Sequence, residues 1–313
     1  MIAKKLSEMA AVAQPGPGIQ GTAAVVLAGI YCGLRLTGQP IRDQRLLFAG
    51  AGASAQGIAD LFVSSLVEGG LPVHEARRRI WTVDTKGLVT RERSGLEDFK
   101  AAYAREADEV VTWKCKDRSR ISLEETIAHA RPTILIGVSA TPGSFTESAV
   151  KLMASINERP MILPLSNPTS KSECTPEDAI RWSEGRAIVA TGSPFAPVQH
   201  KERRYRIGQC NNAFIFPGVG LGVCVAHARH VSDGMFLDAA KTLADRVTAE
   251  DLAQSAVYPQ LSRIRECSHA VACAVIKRAV AEGHADAEVL ANLEETVRRA
   301  MWFPEYLPVR HEP

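Results

Sequence analysis

The stretch Leu46-Leu47-Phe48-Ala49-Gly50-Ala51-Gly52-Ala53-Ser54-Ala55-Gln56-Gly57-Ile58-Ala59 decides the fold. Its first four residues read as a buried strand, the glycines as a tight turn, and the segment from Ala53 as the opening of a helix. Gly50 permits the sharp bend, and Gly52 lets the backbone come close to a pyrophosphate. The small Ala55 allows the helix to pack tightly on the strand. Free N–H groups of the first helical turn, around Ala53 and Ser54, then face the anion. Ile58, Leu61, Phe62 and Leu66 recur on one stripe, and Gly69-Gly70 stops the helix. A G-x-G-x-x-A turn also serves as a plain strand–helix connection. The strand before it and the amphipathic helix after it favour nucleotide binding.

Working outward, strand-like apolar runs fall at 46–49, 80–83, 109–111, 133–138, 161–165 and 187–190, with helical stretches between most of them. That alternation predicts an α/β fold with a Rossmann-like, doubly wound parallel sheet. Residues 1–18 end in Gln14-Pro15-Gly16-Pro17-Gly18 and read as a flexible, helix-breaking lead. Gly21 to Leu36 is small and apolar all round, as a buried helix would be. Gly, Pro and Asn cluster through 192–222 and predict loops at the ligand edge of the sheet. A helical extension follows from about residue 223, over Ala226–Leu243, Pro259–Gly283 and Ala287–Trp302, before Tyr306 and Pro308 close the chain.

The 313 residues are 46% apolar and 23% charged, with a net charge of +2, the balance of a globular enzyme. Such a charge asks for neither nucleic acid nor an anionic membrane as partner. The run Arg77-Arg78-Arg79 reads as a solvated helix end. The apolar stretch Ala23–Leu34 is too short to span a bilayer, and Lys4-Lys5 lies too far from it for a signal peptide. Seven cysteines without a Cys-x-x-Cys pair indicate neither a disulfide framework nor a zinc site, and a reducing cytoplasm is expected.

Asp84 ends the second strand, where an acid accepts hydrogen bonds from the adenine ribose; a strand-terminal turn aspartate is the plain alternative. Its distance from the glycines exceeds the usual ~20 residues, which requires an insertion. Lys86 and Lys100 could instead meet a 2′-phosphate, so NADP stays open beside NAD. Ser139 and Asn167 open polar turns after the strands 133–138 and 161–165, where open α/β sheets collect ligands. An Asn there both donates and accepts, which suits a carboxamide or a hydroxy acid. Asn211-Asn212 are a similar pair. His227 and His230 read as helix-surface residues, and Cys210 as a packing residue rather than a nucleophile.

These segments together resemble the malic enzyme family. Ile19-Gln20-Gly21-Thr22-Ala23, Gly50-Ala51-Gly52, Val83-Asp84-Thr85-Lys86-Gly87-Leu88, Pro132–Val138 and Asn157-Glu158-Arg159-Pro160 all carry the likeness. Leu165-Ser166-Asn167-Pro168-Thr169-Ser170-Lys171-Ser172-Glu173-Cys174-Thr175 and Gly185–Phe195 are its longest runs, and Ile215–Gly222 with Tyr258-Pro259 complete it. The resemblance covers nearly the whole chain from residue 19. It implies oxidative decarboxylation of L-malate to pyruvate and CO₂ with reduction of NAD or NADP, in a homo-oligomer. It also implies a divalent Mg or Mn ion, a glycine turn and Asp84 on the dinucleotide, and contacts from Asn167, Asn212 and the adjoining Asn211 to substrate and nicotinamide.

The chain also departs from that family. An upstream domain carries the family's catalytic Tyr and Lys and a Glu-Asp metal pair, and nothing in residues 1–18 matches it. Where the family has Phe-Asn-Asp-Asp, this chain has Pro15-Gly16-Pro17-Gly18. The expectation is a cofactor-binding portion without catalytic or metal residues of its own, or else an inactive nucleotide-binding remnant. Another dehydrogenase on a similar fold, such as an amino-acid dehydrogenase, is disfavoured by Leu-Ser-Asn-Pro-Thr-Ser.

Overall fold

A computed structural model describes residues 17–303. Nine strands form in chain order: β1 (Leu46–Ala49), β2 (Ile80–Asp84), β3 (Gly87–Leu88), β4 (Ile134–Gly137), β5 (Met161–Pro164), β6 (Ile188–Thr191), β7 (Val198–His200), β8 (Arg203–Tyr205) and β9 (Gly208–Gln209). Seven of them make one sheet in the order β3-β2-β1-β4-β5-β6-β9, while β7 and β8 form a separate hairpin. All pairings in the large sheet are parallel except β2 with β3.

Period-two alternation sends Leu46, Phe48, Ile134, Ile136, Met161, Leu163, Ile188 and Ala190 to one core. Their neighbours Leu47, Ala49, Leu135, Ile162 and Val189 point to the other. Both faces are buried, which is why these strands read as unbroken apolar runs. The first core is covered by the Pro17–Thr37 and Ala53–Glu68 helices and by the C-terminal helices. The second is covered by Leu123–Ala130, Glu147–Ile156 and Pro176–Trp182. The doubly wound α/β expectation holds.

Several local expectations are corrected. Pro17 and Gly18 do not break a helix; they lie in the first turn of Pro17–Thr37, where a missing N–H costs nothing. This helix is longer than its apolar stretch suggested, and 19 of its residues are long and apolar enough to cross a bilayer. It lies mostly buried in the core instead, and Tyr258 donates a 2.8 Å hydrogen bond to its Val25 carbonyl. The strand expected at 109–111 is a short helix, Ala107–Val110, which buries Val110 beside Trp113 and leaves Val111 exposed.

The segment 192–222 is not all loop. Phe216–Ala226 is a helix, so the helical extension begins there rather than near 223. Its glycines are contact points, not breakers. A Cβ on Gly218 would meet Val271 at 2.7 Å, and one on Gly222 the Ala272 carbonyl at 2.8 Å, both on the Ile264–Ala281 helix. The helix expected over Ala226–Leu243 divides instead at a left-handed His227 cap, and a new helix starts at Asp233 behind Ser232. His227 and His230 therefore lie in that connection and not on a helix surface. Tyr306 and Pro308 fall outside the described residues.

Candidate dinucleotide site

The strand order reverses at β1. The chain leaves β1 towards β2 and returns on the other side as β4, so the loops after β1 and β4 part and open a crevice at their carboxyl ends. A cleft of about 1370 Å³ lies there. Gly50, Gly52, Asp84, Lys100, Arg120 and Ser139 are among the residues that line it.

Gly50 has φ +113°, and a Cβ on it would stand 2.7 Å from the Val138 carbonyl of the neighbouring loop. Both facts demand glycine. Gly52 is different: its φ is −89°, and a Cβ there would meet no protein atom within 4 Å. The fold leaves room there for a side chain, and that room belongs to the cleft. No side chain caps the following helix, so its first turn at Ala53 and Ser54, both exposed, presents backbone N–H groups. Ala55 is buried as the packing residue. Gly57 lets Ile19 of the first helix approach, since its Cβ would fall 2.2 Å from that side chain.

Asp84 ends β2 beside the turn. The insertion that its spacing required contains the Val73–Arg77 helix. The carboxylate accepts bonds of 2.8 and 3.1 Å from Arg93 and one of 2.8 Å from the Lys86 amide, with Lys100 Nζ at 3.6 Å. Burial alone would raise its pKa. The Arg93 bonds, the Lys86 amide and the two positive charges outweigh burial and hold it below the usual carboxylate value. Of the two lysines considered from sequence, Lys100 lines the cleft, whereas Lys86 contributes its backbone to Asp84.

Arg93 was not legible in the sequence. It stands in an irregular segment nine residues past Asp84, and no periodicity links the two. Glu173 was also missed as a functional part. This fully buried carboxylate accepts 3.0 and 3.3 Å bonds from the Ser139 amide and hydroxyl, a 3.3 Å bond from the Ser166 amide, and a short one from the Ser166 hydroxyl. It ties the loop after β4 to the loop after β5. The Glu-Cys-Thr run around it was visible, but only the fold shows where it points.

The candidate asparagines stand further along the same edge. Asn167, exposed on the loop after β5, accepts a bond of 2.5 Å from the hydroxyl of Ser193, which follows β6. Asn211 uses its side-chain oxygen to cap the turn Asn212–Phe214, accepting from Ala213 N at 2.9 Å. Asn212 is exposed, with its Cβ side towards Gly21. None of the three lines the large cleft, so the edge holds two regions: the turn with Asp84 and Ser139, and the asparagine row beyond β5. Cys210 packs close to Tyr258, and burial pushes its thiol up to about 12, the value of an inert packing residue. None of the seven cysteines is in a disulfide.

With this geometry in place, comparison with known proteins is direct. A family model described as malic enzyme, NAD binding domain matches residues 19–280. A protein called NAD-dependent malic enzyme 3 from Bacillus subtilis is 44% identical over 293 residues, which are 93% of this chain and 51% of that protein. An NAD-dependent malic enzyme from Sodalis glossinidius is 43% identical over 296 residues, 93% of this chain and 52% of that protein. The chain thus spans about half the length of the curated relatives it matches. Among solved structures, a malic enzyme from Pyrococcus horikoshii superposes with a TM-score of 0.67 at 25% identity, covering 90% of this chain and 58% of that one. One from Entamoeba histolytica shares the fold with a TM-score of 0.68 at 24% identity, over 90% of this chain and 53% of that one. The chain belongs to the malic enzyme family, and the part of that family it presents is the NAD-binding domain.

Proposed function

We propose that this chain is the dinucleotide-binding portion of an NAD-dependent malic enzyme, which oxidises and decarboxylates L-malate to pyruvate and CO₂. The observation that carries the reading is the Gly50–Gly52 turn opening on the cleft that Asp84 closes, inside the segment matched by the family. In this reading Gly52 would leave room for the pyrophosphate, and the backbone N–H groups of Ala53, Ser54 and Ala55 would hold it. Asp84 accepts from the adenine ribose, held in place by Arg93. Ser139 borders the path towards the nicotinamide, and Asn167 and Asn212, with Asn211 shaping their turn, orient nicotinamide and malate by donating and accepting hydrogen bonds. NAD hands the chain a hydride acceptor; the chain's own residues bind, orient and exclude water.

The preference for NAD rests on the Asp84 carboxylate, which accepts from a free ribose diol and repels a 2′-phosphate, and on the names of the relatives. Arg93 and Lys100 beside it are the groups a 2′-phosphate would seek. A pair of dissociation constants tests the assignment. NAD is expected to bind more tightly than NADP, and Asp84→Asn to weaken NAD about tenfold, the loss of roughly one charge-assisted hydrogen bond. NADP binding tenfold more tightly than NAD would overturn it.

Among the described residues, no group of three donors suits the Mg or Mn ion implied by the family. Among the described residues, the group of three ligating side chains is His269, Cys273 and Glu294, whose nitrogen and sulfur do not suit hard cations that take oxygen. A reducing cytoplasm is part of the same proposal, supported by seven cysteines none of which is in a disulfide.

A further inference from the structure

His269 and Cys273 lie one turn apart on one face of the Ile264–Ala281 helix, and Glu294 opens the Leu293–Ala300 helix that packs beside it. One ring nitrogen of His269, the Cys273 sulfur and a Glu294 carboxylate oxygen all lie within 4.8 Å of one another. The far side of the ring fixes one proton. His269 Nε2 stands 3.0 Å from the Glu294 carbonyl, which can only accept, so Nε2 carries the proton. In the neutral ring, Nδ1 then turns a lone pair towards Glu294 Oε2, 3.6 Å away. Two acceptors and a thiol converging in this way leave a position for a cation. A backbone carbonyl fixing the remote nitrogen of a ligating histidine is a recurrent support of metal sites.

We propose that His269 Nδ1, Cys273 Sγ and the Glu294 carboxylate form a zinc-binding site that ties the last helix to the helical extension. The mixed nitrogen, sulfur and oxygen set suits Zn²⁺ and not Mg²⁺. A bare imidazolium–carboxylate pair would account for His269 and Glu294 but would give the thiol no part. Tetrahedral donors around zinc stand about 3.5 Å apart, so the histidine and carboxylate are already near that separation. The remaining closure falls to Glu294, whose side chain is 68% exposed and free to move, while Cys273 is 4% exposed and fixed in the core. The ion enters from the Glu294 side, where a water completes its shell, and the thiol proton leaves to solvent as the Zn–S bond forms. His269 and Cys273 lie within residues 19–280 and Glu294 beyond them, so the site would join the matched domain to the segment that follows it, and none of the three lines the dinucleotide cleft.

The reduced, metal-free 313-residue chain is titrated with Zn²⁺ and, in parallel, with Co²⁺ as a spectroscopic substitute. One equivalent is expected to bind, raise Tm and, with Co²⁺, give a thiolate-to-metal charge-transfer absorption. Cys273→Ser should abolish that absorption, and His269→Ala and Glu294→Gln should each weaken binding tenfold or more. Glu294→Gln sits on the surface and keeps the fold, which the unchanged Tm of the metal-free variant checks. Millimolar Mg²⁺ should leave Tm unchanged. Cobalt binding without the charge-transfer absorption, or zinc affinity unaltered in both Cys273→Ser and Glu294→Gln, overturns the proposal.

Discussion

At the scale of single residues, two glycines in one turn do opposite work, and mutation separates them. Gly50→Ala forces a side chain into the left-handed region and against the Val138 carbonyl. A loss of about 1–3 kcal/mol is expected, read as a lower denaturation midpoint. A Cβ at Gly52 would meet no protein atom within 4 Å, so Gly52→Val should cost no more than about 1 kcal/mol, the effect of a poorer helix N-cap, while the pyrophosphate loses its seat. Asp84 yields a pH dependence. Its folded pKa lies below its unfolded value near 3.9, so its contribution is fully present above about pH 4 and is lost as pH falls through the folded pKa. The stability gap between wild type and Asp84→Asn should therefore be constant near neutrality and shrink below about pH 4. A gap that grows on acidification contradicts the Arg93 pairing.

At the scale of elements, the site depends on loops held together from beneath. Removing Glu173 leaves the buried amide and hydroxyl of Ser166 and the half-buried amide and hydroxyl of Ser139 without their acceptor, at about 1–3 kcal/mol for each group that stays unsatisfied away from water. Glu173→Ala should cost at least about 3 kcal/mol by chemical denaturation, and a change below about 1 kcal/mol would refute the clamp. What was legible in the sequence was what is local. The apolar runs of β1, β2, β4, β5 and β6 declare strands buried on both faces, and the turn at Gly50 and Gly52 announces its own geometry. What escaped is set by partners distant in the chain. Gly218 and Gly222 look like loop residues until the helix bearing Val271 and Ala272 lies against them. Arg93 and Glu173 likewise acquire their roles only when the sheet brings Asp84, Ser139 and Ser166 to one edge. Asn167 follows β5 and Asn211 and Asn212 follow β9, yet the capping bond that occupies Asn211 could not be read from its sequence.

At the scale of the whole molecule, the sheet edge provides a dinucleotide cleft and a row of amides and hydroxyls, which bind and orient. Proton transfer by a placed acid or base is worth ~10²–10⁴ in rate, and none of Asn167, Ser193 and Asn212 supplies it at neutral pH. The 313-residue chain by itself is therefore expected to form no NADH from malate above background, and robust turnover would show that this row does more than orient. The central claim, that the cleft over the Gly50 turn holds a dinucleotide, is tested most directly by calorimetric titration of NAD into the wild type and into Gly52→Val. The account predicts saturable binding to the wild type and none to a folded Gly52→Val. An absence of heat from the wild type at millimolar NAD, or undiminished binding by the variant, would contradict it.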